Sequence, residues 1–164
     1  MSMRLVVALS VALGMVATQA SAETDIERGE YLSHVMVCVE CHTPGLLSGG
    51  ERGPDLAGSE VGYGIPFLGV FHGPNLTPDD ETGLGSWSAD DIVKAIRTGE
   101  RPDGRILAPA MPWRSFAKMT DEDAYALAAY MQSVAPVSNQ VPGPFGPSET
   151  PTSFYYNFVM PAKE

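Results

Sequence analysis

Cysteine is scarce in this sequence, with two in 164 residues. That is too few for a disulfide-rich scaffold or a four-thiolate zinc site. Positive charge is scarce as well: ten Lys and Arg stand against twenty Asp and Glu, for a formal net charge of −10. A nucleic-acid binder needs a basic footprint on at least one face, and this balance argues against one. Wholesale disorder is excluded by a hydrophobic content of 44%. What the chain has in quantity is Gly 17 and Pro 14, which promise many turns. The length allows one domain of ordinary size.

The first 22 residues read as an export signal. Arg4 is the single positive charge, Leu5 to Ala17 carries no charged residue, and Ala20-Ser21-Ala22 supplies the small-x-small pattern of a cleavage site. An uncleaved anchor is the competing reading, but Thr18, Gln19 and Ser21 make the second half too polar for a good spanning helix. Cleavage after Ala22 takes one positive charge with it and leaves 142 residues at −11. The expected location is the periplasm.

Both cysteines fall in Cys38-Val39-Glu40-Cys41-His42, the C-x-x-C-H pattern of c-type haem attachment. Two thiols at this spacing can add to the two vinyl groups on one haem edge, and the adjoining imidazole can bind the iron. A thioredoxin-like disulfide would follow a strand in a βαβ pattern, whereas here a helical segment precedes the motif and a glycine-rich loop follows it. A zinc site would need further ligands, and only His34 and His72 remain. One covalent haem c with its iron is therefore expected, held by Cys38, Cys41 and His42.

Thr24 or Asp25 can cap a first helix running towards Cys38. From Thr43 to Trp87 the chain reads as loop, punctuated by Gly49-Gly50, Gly53-Pro54, Gly73-Pro74 and Thr77-Pro78. So long a loop is unusual unless something replaces a side-chain core, and irregular chain wrapped around a haem would do so. Ser88-Ala89-Asp90-Asp91 predicts a capping box for a helix with Ile92, Val93 and Ile96 buried and Gly99 closing it. Thr120 predicts the cap of a last helix carrying Leu127, Ala128, Tyr130 and Met131. Beyond residue 135 the composition changes: six of the 14 prolines lie between Pro136 and Pro161, interleaved with aromatics. The expected organisation is a signal over 1–22, a domain over 23–135 and a Pro/aromatic-rich extension over 136–164.

From Thr24 to Ala135 the chain resembles a class I cytochrome c. Arg28-Gly29-Glu30-Tyr31-Leu32 is similar to that family's first helix, Leu127-Ala128-Ala129-Tyr130 to the aromatic face crossing it, and Gly53-Pro54-Asp55-Leu56-Ala57-Gly58 to its G-P-x-L-x-G loop. The resemblance implies an all-α fold: three to four helices and long loops wrapping one covalent haem, with the N- and C-terminal helices crossing. It also implies that the Pro54 carbonyl accepts a hydrogen bond from His42 Nδ1–H. Asn75-Leu76-Thr77-Pro78-Asp79, Thr82 to Ser88 and Pro109-Ala110-Met111-Pro112-Trp113 resemble the cytochrome modules of periplasmic, membrane-bound alcohol-type dehydrogenases. Those subunits usually carry several haem modules, whereas this chain has a single C-x-x-C-H.

A low-spin carrier needs a second axial ligand. Met111, 69 residues after His42 and in a loop stiffened by Pro109 and Pro112, is the expected one. Met119 is a weaker candidate, and His34 stands on the first helix, from which reaching the opposite haem face is difficult. His72 could ligate in place of Met or bond a propionate. Asn75 and Trp87 are candidates to hydrogen-bond the propionates by the resemblance; alternatively Trp87 fills the core and Asn75 caps a turn. With both axial positions filled the activity expected is not enzymatic catalysis. It is single-electron transfer through the exposed haem edge, from a dehydrogenase to a downstream cytochrome or terminal oxidase. The acidic surface points to a partner with a basic docking patch. Two alternatives remain: a haem sensor or peroxidase-like enzyme with a displaceable Met, and a fixed electron-transfer subunit of a dehydrogenase.

Overall fold

The computed structural model describes residues 24–159; the export signal read over 1–22 lies outside them. Helix α1 (Asp25–Val35) opens on a capping box in which Thr24 Oγ1 accepts from Glu27 N at 3.2 Å and Thr24 N donates to Glu27 Oε2 at 2.9 Å. It runs towards Cys38, as expected, and ends at Val35. Val37 takes a left-handed backbone, φ 57°, and a new short helix α2 (Cys38–His42) starts after it. For a β-branched residue that conformation costs about 1–3 kcal/mol.

Helix α3 (Ala89–Thr98) has the expected Ser88/Asp91 capping box, buries Ile92, Val93 and Ile96, and closes on Gly99 at φ 77°. A single turn, α4 (Trp113–Phe116), leads to α5 (Asp121–Ser133), capped by Thr120 Oγ1 accepting from Asp123 N. Helix α5 crosses α1 where both carry small residues, and Ala124, Leu127 and Ala128 are fully buried there. Helix α3 packs on the neighbouring side of α5, and α4 packs on α3. Among the described residues no helix is long and apolar enough to cross a membrane.

The segment over 43–87 is not all loop. Strands β1 (Gly62–Ile65) and β2 (Gly69–His72) form an antiparallel hairpin, with Gly62 opposite His72 and Ile65 opposite Gly69. Strand β3 (Tyr155–Asn157) comes from the C-terminal extension and pairs parallel to β1, giving the order β2-β1-β3. The all-α expectation therefore lacked a small sheet. Glycine at every second position of β1 hides the strand, because glycine is depleted in strands and carries no side-chain alternation.

The extension is bound to the domain along its length. Val137 N donates to Thr77 Oγ1 at 3.1 Å, and Asn139 Nδ2 donates to the Ala57 carbonyl at 2.7 Å. Phe145 exchanges both backbone hydrogen bonds with Val70, and Tyr156 Oη donates to the Leu47 carbonyl at 2.8 Å.

Candidate haem site

Helix α2 has one job, which is to present Cys38, Cys41 and His42 on a single turn. Positions 38 and 41 are three apart and so share a helix face. All three side chains line a cavity of about 410 Å³ between α2, the segment over 71–76, and the segment over 105–112. The motif follows a helix rather than a strand, which removes the thioredoxin-like alternative. Cys38 is buried, and that burial pushes its thiol up to about 11.

His42 is buried, and desolvation lowers its pKa, with the Pro74 carbonyl partly opposing it. Its Nδ1 lies 2.8 Å from the Pro74 carbonyl. As the donor there, Nδ1 fixes the tautomer and leaves the Nε2 lone pair for a metal. This corrects the expectation for Pro54. Pro54 is exposed, its carbonyl accepts from Ala57 N at 3.3 Å, and it does not line the cavity. The sequence contains two G-P-x-L strings, and the second, Gly73-Pro74-Asn75-Leu76, is the one under the imidazole. Gly73 makes that possible: a Cβ there would lie 1.9 Å from the Cys41 carbonyl oxygen.

Met111 lines the same cavity. Its N donates to the Ala108 carbonyl at 3.0 Å and its carbonyl accepts from Trp113 N at 2.9 Å, so two tight turns hold the residue. Met119 packs against the core outside the cavity lining, and His34 is exposed on α1. His72 does line the cavity; its Nε2 lies 2.8 Å from Ser153 Oγ, and its Nδ1 is buried without a partner.

Trp87 is half-buried on the cavity wall with the Arg101 guanidinium 5.3 Å from its ring centre. Asn75 reaches the cavity but has no hydrogen to offer it. Its Nδ2 donates to Thr82 Oγ1 at 2.9 Å and to the Val137 carbonyl at 2.6 Å. Its Oδ1 accepts from Thr77 N and Thr77 Oγ1. The side chain therefore closes a turn and ties the extension down, and the expected propionate bond is replaced by that structural role. Asn75→Ala is expected to lower stability by about 3 kcal/mol, because Thr77 N and the Val137 carbonyl lose buried partners. Chemical denaturation checks this, and the tail should become protease-sensitive at the same time.

Four contributors escaped sequence reasoning: Pro74, Tyr63, the arginines Arg101 and Arg105 on the cavity rim, and the tail residues over 140–144, all of which line the cavity. For Pro74 the signal existed as the second G-P-x-L string. For the others it did not, since each acts across a long sequence separation.

The donor set fits a covalently held haem: two thiols one helical turn apart, an imidazole with Nε2 free, a thioether on the wall, and arginine charge for two carboxylates. A helical domain with such a pocket has the makings of a c-type haem domain. The chain belongs to the cytochrome c family, whose pattern matches residues 26–135 and implies a class I cytochrome c fold carrying haem c.

Among its relatives is the cytochrome c subunit of a quinone alcohol dehydrogenase from Gluconobacter oxydans, 37% identical over 137 residues. The gluconate 2-dehydrogenase cytochrome c subunit of Pantoea cypripedii is 40% identical over 139 residues, and the fructose dehydrogenase cytochrome subunit of Gluconobacter japonicus 40% over 136. These alignments cover 83%, 79% and 78% of this chain but 27%, 29% and 26% of those relatives.

Proposed function

We propose that this chain is a periplasmic monohaem cytochrome c that passes single electrons from a dehydrogenase to a downstream cytochrome or terminal oxidase. The observation that carries the reading is one cavity lined by Cys38, Cys41, His42 and Met111, with His42 Nδ1 already tied to Pro74. Bound there, the haem would exchange one electron at a time between ferrous and ferric iron. Cys38 and Cys41 would hold it covalently, which would prevent its loss outside the cell. His42 Nε2 and Met111 Sδ would be the residues to hold its iron, and two such protein ligands would leave no room there for a substrate. Arg101 and Arg105, which both also contact Asp103, would offer positive charge to its carboxylates.

The relatives that serve alcohol, gluconate and fructose dehydrogenases support a donor of that chemical class. The domain boundaries at 23 and 135 and cleavage after Ala22 belong to the same proposal. So does docking to a basic surface, with association that weakens as salt rises.

Haem stoichiometry by alkaline pyridine spectroscopy and carbon monoxide binding to the reduced protein test the reading together. One haem per chain and no binding at neutral pH are expected. Fast stoichiometric binding would instead establish the sensor or peroxidase-like alternative. Native purification that always returns a large dehydrogenase subunit alongside would turn the shuttle into a fixed subunit.

A further inference from the structure

The glycines of β1 set the place of Tyr63. A Cβ on Gly62 would lie 2.8 Å from His72 Cε1 and from Val70 Cγ1, and one on Gly64 would lie 3.0 Å from the Tyr155 ring. That face of the strand is filled by its neighbours. Tyr63 projects from the other face, paired with Phe71 on β2 and Tyr156 on β3. Phe71 and Tyr63 both line the cavity. The Tyr156 ring, from the C-terminal extension, packs on Tyr63 with centroids 6.0 Å apart and planes 34° apart. Tyr156 is itself fixed by its hydrogen bond to the Leu47 carbonyl.

The Tyr63 hydroxyl lies 3.4 Å from Cys41 Sγ. While that sulfur is a thiol, either atom can donate. A thioether sulfur carries no hydrogen, so once Cys41 is joined to a vinyl carbon only the phenol has a proton to share. Attachment thereby fixes the direction of the bond, with the positive end of the O–H dipole at the haem edge. A positive dipole end at that place favours the reduced state, and hydrogen bonds around the cofactor are a principal means of tuning its potential.

We propose that Tyr63 is a positioning residue for the redox function, donating to the Cys41 thioether and raising the reduction potential, and that the C-terminal strand holds it in register through Tyr156. This rests on the haem-carrier reading above. It gives the extension a role that its composition did not reveal: the tail sets the potential of the domain that precedes it.

Redox titration of the haem-loaded full chain tests this with Tyr63→Phe and Tyr156→Leu beside the parent. Tyr63→Phe keeps the ring and the packing, so haem content and the Met-ligation absorption should be those of the parent while the midpoint shifts to lower potential. Tyr156→Leu should shift it in the same direction by less. Equal midpoints for the parent and Tyr63→Phe overturn the proposal. Should Tyr63→Phe fail to load haem, Tyr156→Leu decides alone, and an unshifted midpoint overturns the proposal. A parent that attaches no haem overturns the carrier reading and this proposal together; a loaded parent with unshifted variants overturns only this one.

Discussion

Gly29→Ala is expected to destabilise the protein by about 3 kcal/mol, although alanine is the better helix former by about 1 kcal/mol. Gly29 sits in α1 at the crossing with α5. An added Cβ would fall 2.0 Å from the Ala126 carbonyl oxygen and 2.7 Å from Tyr130 Cβ. Both neighbours belong to α5, and the oxygen is backbone, so no side-chain rotation relieves the contact. The helices would have to separate by about 1 Å to reach even a tight contact, and Leu127, Ala128 and Leu32 would loosen with them. Overpacking of that kind exceeds the gain in propensity. Against a total stability of roughly 5–15 kcal/mol the loss is large, and Gly29→Val should prevent folding under ordinary conditions. Gly50→Ala is the milder comparison: its nearest neighbour would be Ser48 Oγ at 3.2 Å, a side chain hydrogen-bonded to Glu60, and its cost should be well below that at Gly29. Denaturant midpoints of the haem-loaded variants check both. A Gly29→Ala protein as stable as the parent would show that the helices can part freely at their crossing.

Features encoded within a few consecutive residues were legible in the sequence. The haem motif occupies five consecutive residues, and the Ser88 and Thr120 caps require only a side chain and a backbone three residues on. The buried stripe Ile92, Val93 and Ile96 follows from helical spacing. Features that depend on distant chain were not. Pro54 and Pro74 stand in similar strings, and only the close approach of Gly73 to the Cys41 carbonyl selects the second. Strand β3 pairs with β1 across some 90 residues of chain, and neither partner carries a clear alternating pattern. Asn75 could be read as a turn cap or a propionate donor. Its bond to the Val137 carbonyl, made 62 residues away, decides in favour of structure. The break at Val37 was invisible for a related reason: left-handed backbone at a β-branched residue runs against local propensity and is stabilised by surrounding packing.

Met111→Ala should produce the largest functional change. In the parent, the thioether would be a soft, neutral donor that favours the ferrous state, and the backbone of Met111 is held in place by its hydrogen bonds with Ala108 and Trp113. Replacing it should therefore remove one ligand and leave the loop standing. The ferric spectrum should change from low to high spin. The midpoint should fall by a sizeable fraction of the roughly 0.8 V range that axial ligands span. The variant should also bind carbon monoxide when reduced, which the parent should not. Two other methionines line the cavity, Met36 and the buried Met131. Met131 belongs to the core of α5, so Met131→Leu should keep the parent spectrum and cost less than about 1.5 kcal/mol. His72 is the remaining competitor, with an unpartnered Nδ1 on the cavity wall. Were it the ligand, Met111→Ala would leave the spectrum unchanged and His72→Ala would abolish the low-spin state. The two single variants thus give opposite results under the two assignments, and one ferric spectrum of each separates them.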